Sequence, residues 1–165
     1  MGCLGVHFAV DEGVARRLLA AAGDDEKLVE IVQEDIEEAW DEEQLFQSDK
    51  AWDALHRCLS NGTLNVQEGR PPLNQCFFGG RILNEEADYF VVLLDPAQVK
   101  EVASALPAVT EAWLRDRYFS VEFPDYQVDK SETDFQYCWS SFQGLPEFFS
   151  RAAREGRWVV FTVDQ

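Results

Sequence analysis

Histidine is scarce in this sequence, with two copies in 165 residues, and the four cysteines are scattered. Cys3, Cys58, Cys76 and Cys138 make no C-x-x-C pair and no Cys/His set at zinc spacing. No metal and no other cofactor is expected. Four separated cysteines fit free thiols in a reducing, cytoplasmic compartment, where Cys packs as a small apolar residue. Basic residues are also few, 14 against 31 acidic ones, for a formal net charge of -17. Nucleic acid and anionic membrane surfaces both need Lys and Arg to displace counterions, so neither is an expected partner. No apolar run approaches the roughly 20 residues of a membrane-spanning helix. The first residues lack the charged region and apolar run of a signal peptide. Val6 stands where a myristoylation motif wants Ser or Thr. The chain has no G-x-S-x-G elbow, no Walker loop, no repeat and no low-complexity segment.

Core-forming residues are plentiful. Hydrophobic residues make up 46%, with five Trp, four Tyr and twelve Phe. That is enough for a packed core, and the length fits one domain over residues 1–165. Residues 3–10 alternate, with Leu4, Val6, Phe8 and Val10 on one side and Cys3, Gly5, His7 and Ala9 on the other. This is a strand pattern, and the small second face predicts that it too is covered. His7 then reads as a half-buried, hydrogen-bonded side chain. Asp11 is a good cap for a helix carrying Val14, Leu18 and Leu19, stopped at Gly23. A second helix is predicted from about 25 to the mid-forties, with Leu28, Ile31, Val32, Ile36, Ala39 and Trp40 at helical period. Its other face is dense in acid, including Glu30, Glu34, Asp35, Glu37, Glu38, Asp41, Glu42 and Glu43, against Lys27 alone. Such a face is either simply solvated or a docking surface for a basic protein partner.

Asp49 to Gly62 reads as one short helix, capped by Ser48 or Asp49 and ended by Asn61-Gly62. Trp52, Leu55 and Leu59 point one way, and His56 lies at the edge of that face. Asp53 precedes His56 by three residues and Arg57 by four, so its carboxylate reaches either one. A carboxylate beside histidine fixes its tautomer and prepares a general base, and it equally satisfies a structural histidine. Farther on, Leu73 to Phe78 predict a short helix stopped by Gly79-Gly80, where backbone can approach closely. With Arg81 following, these glycines are a weak anion cradle. Tyr89 to Leu94 is a buried strand, and Asp95-Pro96 opens a helix. Further helices are predicted from Pro107, across Phe135 to Phe142, and from Pro146 to Glu155. A last strand runs from Arg157 to Val163. Few strands among many helices predict an α+β domain with a small central sheet.

Asp49, Lys50, Trp52, Leu55 and His56 form an Asp-Lys-x-Trp-x-x-Leu-His segment that resembles a signature of the YfbM-like family. Met1-Gly2 before a strand, Pro72-Leu73 before Gly79-Gly80, and Leu94-Asp95-Pro96 are similar to family features in the same order. So are Phe123-Pro124 and the spacing of Phe149, Ala152, Ala153 and Gly156. The helix closes on Ser60-Asn61-Gly62 where the family has Thr-Gly. The resemblance implies a small bacterial cytoplasmic protein with an α+β fold of its own type and a domain of unknown function, and it implies no reaction.

Two functions from different classes fit these residues. One is a non-enzymatic binding protein, of immunity or regulatory kind, that meets a basic protein through Glu34, Glu37, Glu38, Asp41 and Glu42. The other is a small-molecule pocket, hydrolase-like at most, at the end of the 49–62 helix. There Trp52 and His56 line it, Asp53 or Asp49 orients His56, Gly79-Gly80 admit backbone approach, and Lys50 or Arg81 holds an anionic group.

Overall fold

The alternating apolar residues near the start of the chain become the strand on which both layers of helices rest. The computed structural model describes residues 3–86 and 88–164, and its first strand, β1 (Gly5–Val10), is buried on both faces. The Met1-Gly2 pair of the family resemblance lies outside the described residues. Asp11 caps α1 (Glu12–Ala20) by accepting the Val14 N–H at 2.9 Å, and Gly23 follows with a φ of 84°. Asp24 caps α2 (Asp25–Ile31), which runs on into a π-helical stretch at Val32–Glu37. Then come β2 (Leu45–Asp49), α3 (Trp52–Leu59), a 3-10 turn at Leu73–Cys76, and the two-residue β3 (Arg81–Ile82). β4 (Tyr89–Leu94) leads through the Asp95–Gln98 capping box into α4 (Pro96–Ala105). α5 (Glu111–Ser120), α6 (Glu132–Phe142), α7 (Leu145–Arg154) and β5 (Trp158–Asp164) complete the order.

All four strand pairings are antiparallel, in the order β2-β1-β5-β4-β3, so the last strand is the central one. Alternation divides the sheet into two apolar faces. Val6, Phe8, Val10, Val91, Leu93 and Val160 pack against α1 and α2. Ala9, Val92, Leu94, Val159, Phe161 and Val163 face the larger layer, made by α3 to α7 with Phe77 and Phe78. The α+β class, the helices at α1, α4, α6 and α7, and the strands β1, β4 and β5 follow the sequence pattern. The four cysteines are free, with Cys58, Cys76 and Cys138 buried.

Three expectations are corrected. The helix predicted to reach the mid-forties ends near Glu37, where its bonding widens so that the Glu38 N–H reaches the Gln33 carbonyl at 2.9 Å. Trp40 then takes a left-handed φ of 34°, leaves the buried stripe at 41% exposure, and sets its edge against Phe8. Release of the helix frees Leu45–Asp49 to pair with β1, a strand hidden in sequence by the helical period that runs up to Trp40. Ser48 and Asp49 therefore do not cap α3. Ser48 is buried in β2 and donates to the Gly5 carbonyl at 3.1 Å, Asp49 has a φ of 50°, and the helix starts without a side-chain cap. Pro107 lies in a 3-10 turn, and Thr110 caps α5 instead.

α3 reaches the sheet because Gly5 has no side chain. A Cβ there would lie 2.8 Å from Ser48 Oγ, 2.9 Å from Trp52 Cδ1 and 3.0 Å from Phe161 Cε2. Trp52 fills that space and donates its indole N–H to the Cys3 carbonyl at 2.8 Å. Overpacking at such a junction is destabilising, so Gly5→Ala should lower unfolding free energy by about 1–3 kcal/mol. Urea denaturation monitored by circular dichroism measures it, and an unchanged midpoint would show that this space is not limiting.

Candidate functional site

The residues singled out around α3 divide sharply by environment. Trp52, Leu55 and His56 are buried, and His56 has no exposed surface. Its ring stands edge-on to Phe78 at 5.1 Å and to Phe77 at 6.5 Å. Burial, aided by the adjacent Arg57 charge, holds its pKa down to about 4, against a backbone contact with Asn65. The ring is a neutral component of the core at ordinary pH. His7 is likewise fully buried rather than half-buried, among Phe46, Phe77, Phe148, Phe149 and Phe161. Its Nε2 lies 2.5 Å from the Cys76 carbonyl, and desolvation pushes its pKa to about 4.

Asp53 does not orient His56. Its Oδ1 accepts from Arg57 Nε at 2.5 Å, and desolvation raises its pKa while that guanidinium opposes the shift. Arg57 is only 2% exposed. Its Nη1 donates to the carbonyls of Gly62 at 3.1 Å and Pro124 at 2.5 Å, and its guanidinium lies over the rings of Phe123 and Tyr126. Beside it, Lys130 donates to the carbonyls of Tyr118 and Val121, and Tyr118 and Tyr126 both donate to Asp134. This polar cluster ties α3 to the segment after α5. Sequence reasoning marked Arg57 only as a partner of Asp53, because the Pro124 carbonyl it serves lies on a remote loop.

Lys50, Gly79, Gly80 and Arg81 are not gathered around His56. Lys50 is exposed after β2, and its backbone N–H meets the Tyr137 hydroxyl at 3.1 Å. Arg81 is exposed on β3. β2 and β3 are opposite sheet edges, four strand spacings or about 19 Å apart. Gly79 and Gly80 have ordinary φ values and serve close packing. A Cβ on Gly79 would lie 2.6 Å from the Asn74 carbonyl oxygen, and one on Gly80 would lie 2.7 Å from Leu94 Cδ2.

The acidic residues are spread over two kinds of backbone. Glu34 and Glu37 lie in the π-helical stretch, while Glu38, Asp41 and Glu42 lie on the turns before β2. Glu34, Glu38, Asp41 and Glu42 are exposed. Glu37 is partly buried, and desolvation raises its pKa. Nearby acids have structural partners: Asp25 accepts the N–H groups of Glu85 and Glu86, and Asp35 pairs with Arg17 at 2.6 Å. Among the described residues, no three His, Cys, Asp or Glu side chains gather to hold a metal ion.

A cleft of about 750 Å³ opens beyond the C-terminal end of α3. Its walls are the stretch from Cys58 to Asn61, Gly69 and Arg70 in the following loop, and Trp113 and Arg117 of α5. Neither Trp52 nor His56 lines it. Arg117 closes the end of α3 by donating from Nε to the Cys58 carbonyl at 3.0 Å and from Nη2 to the Ser60 carbonyl at 2.5 Å. This cleft is not the Trp52–His56 pocket expected from the sequence, and Arg117, on the distant α5, carried no signal there. Cys58 is no nucleophile here, because burial pushes its thiol up to about 12.

The fold has a known counterpart. The structure of YfbM from Escherichia coli, itself described as a protein of unknown function, superposes with a TM-score of 0.67 over 97% of this chain and 99% of that one. Identity is 19%, so the likeness is one of fold alone. No curated protein matches the sequence. Among the described residues, no helix is long and apolar enough to cross a membrane. The family model for DUF1877, a domain of unknown function, matches residues 1–162, in line with the YfbM-like segments of the sequence. The chain belongs to the DUF1877 family.

Proposed function

We propose that this chain is a non-catalytic, cytoplasmic binding protein that meets a basic protein through its exposed acidic segment, in an immunity or regulatory role. The burial of both histidines in the aromatic core carries this reading. A general base must reach the proton it takes, and neither ring reaches solvent. The net charge of -17 supplies long-range attraction for a basic surface and repels nucleic acid and anionic membranes. Glu34, Glu38, Asp41 and Glu42 are the exposed carboxylates best placed to meet a partner, with Glu37 at their margin. A pocket centred on His56 loses its support, since the ring is sealed between α3 and Phe77-Phe78.

Two measurements test this reading. Capture from a host lysate at low salt should recover a basic protein that is released at high salt. Replacing Glu34, Glu37, Glu38, Asp41 and Glu42 by their amides should slow association roughly tenfold at low salt. An unchanged rate would remove this segment as the docking surface. The structural role of His56 has its own signature in pH. In the unfolded chain a histidine takes up a proton below its ordinary 6.5, whereas the folded ring does so only near 4. Its contribution to stability is therefore complete above 6.5 and falls as pH drops toward 4. His56→Phe should fold and should take up about one proton fewer on unfolding at pH 5. Urea titrations across pH 4–7 measure this as a shallower slope, and an unaltered slope would place His56 in contact with water.

A further inference from the structure

Beyond α3 the local charge runs against the excess of the chain. The cleft beyond α3 is lined by Arg70 and Arg117 and by no carboxylate. Other surface depressions differ: the one beside α2 and β4 is lined by Asp25, Glu26, Glu86 and Asp88, and that between α1 and the π-helical stretch mixes Arg17 and Lys27 with Glu30, Glu34 and Asp35. Glu68 stands next to Gly69, and its oxygens are taken by Asn61, Thr63 and Asn65.

The two arginines are differently prepared. Arg117 is fixed by its bonds to the Cys58 and Ser60 carbonyls, with its guanidinium 5.9 Å from the Trp113 ring centre. Those bonds use two of its five N–H donors and leave three. Neither arginine forms a salt bridge among the described residues, and the Arg70 guanidinium has no hydrogen-bond partner there. Guanidinium forks match carboxylate and phosphate oxygens two at a time. A donor already held in place loses little freedom on binding. Leu73, Trp113 and Val121 give the walls their apolar part, and Ser60 and Asn61 add polar groups. A volume of about 750 Å³ lies within the range of small-molecule sites and exceeds what a bare inorganic anion fills. The wall is also built closely, since Gly69 has a φ of 95° and a Cβ there would lie 2.8 Å from Ser60 Cβ.

We propose that this cleft binds a small organic anion, with Arg70 and Arg117 holding its carboxylate or phosphate group and Trp113 and Leu73 meeting an apolar body. The site is distinct from the acidic segment, which lies on the other side of the sheet, so either proposal stands if the other fails.

The test is a titration of the whole chain with phenyl phosphate, benzoate and inorganic phosphate, read by proton–nitrogen NMR at the Trp113 indole N–H and the Gly69 amide. Saturable shifts confined to these cleft residues are expected with an organic probe, in the millimolar range or below and roughly tenfold tighter than with inorganic phosphate. Whichever organic probe binds tighter names the preferred head group, and both results sustain the site. Arg70→Gln should weaken binding roughly tenfold or more, and Arg70→Lys by less, because Lys keeps the charge without the fork. Arg117 is unsuitable for substitution, as it also closes α3. The proposal is overturned by unsaturated or scattered shifts with both organic probes, by inorganic phosphate binding as tightly as they do, or by unchanged binding in Arg70→Gln.

Discussion

A guanidinium sits almost wholly inside this protein, and the larger helical layer is arranged to satisfy it. Burying such a charge is costly unless each donor is met. Arg57 is met by Asp53 one turn back, by the Gly62 carbonyl after the helix, and by the Pro124 carbonyl beyond α5. Arg117 and Lys130 do related work, each donating to two backbone carbonyls. Three of the chain's few cations thus join helix ends and loops from within. This sharpens the meaning of the acidic balance. Part of the positive charge is turned toward the backbone, which leaves the outer surface more acidic than composition alone conveys.

Much of the fold was legible because local signals and tertiary need agreed. Alternation in β1, the Asp11 cap, the Asp95-Pro96 start and the closing strand all mean in sequence what they do in space. The failures lie where long-range pairing overrode local pattern. Ile36, Ala39 and Trp40 continue a helical period, yet the chain must turn there to deliver Leu45–Asp49 to the edge of β1. Ser48 has the chemistry of a cap and is instead used to bind Gly5 across the sheet. At the site, sequence spacing allowed Asp53 either His56 or Arg57. Burial decided for Arg57, since an ionised group left alone is far costlier than a neutral imidazole. The Trp-x-x-Leu-His part of the family segment is accounted for by packing: Trp52 lies over Gly5, Leu55 is buried in the core, and His56 lies against Phe78, while Asp49 and Lys50 are exposed.

The sheet also separates the two surfaces with functional promise. α2 and its π-helical extension cover the face built from Val6, Phe8 and Val10, and carry acid outward. The cleft with Arg70 and Arg117 lies in the layer on the other face. With an acidic exterior and a basic recess on opposite faces of the sheet, the proposed attraction of a protein and the proposed capture of a small anion would not compete for the same residues.

The central place of β5 has a consequence for how the protein comes into being. β1 pairs along its whole length with β5, the strand at the far end of the chain, and β4 also needs that strand as its neighbour. During synthesis, β1 and β2 can meet early, while the β3–β4 hairpin has no sheet to join until residues 158–164 emerge. The helices α3 to α7 are made before the surface that buries their aromatic faces is complete. A nascent chain of this topology therefore carries exposed Phe and Trp until its last strand arrives, and its dense negative charge helps keep such intermediates apart.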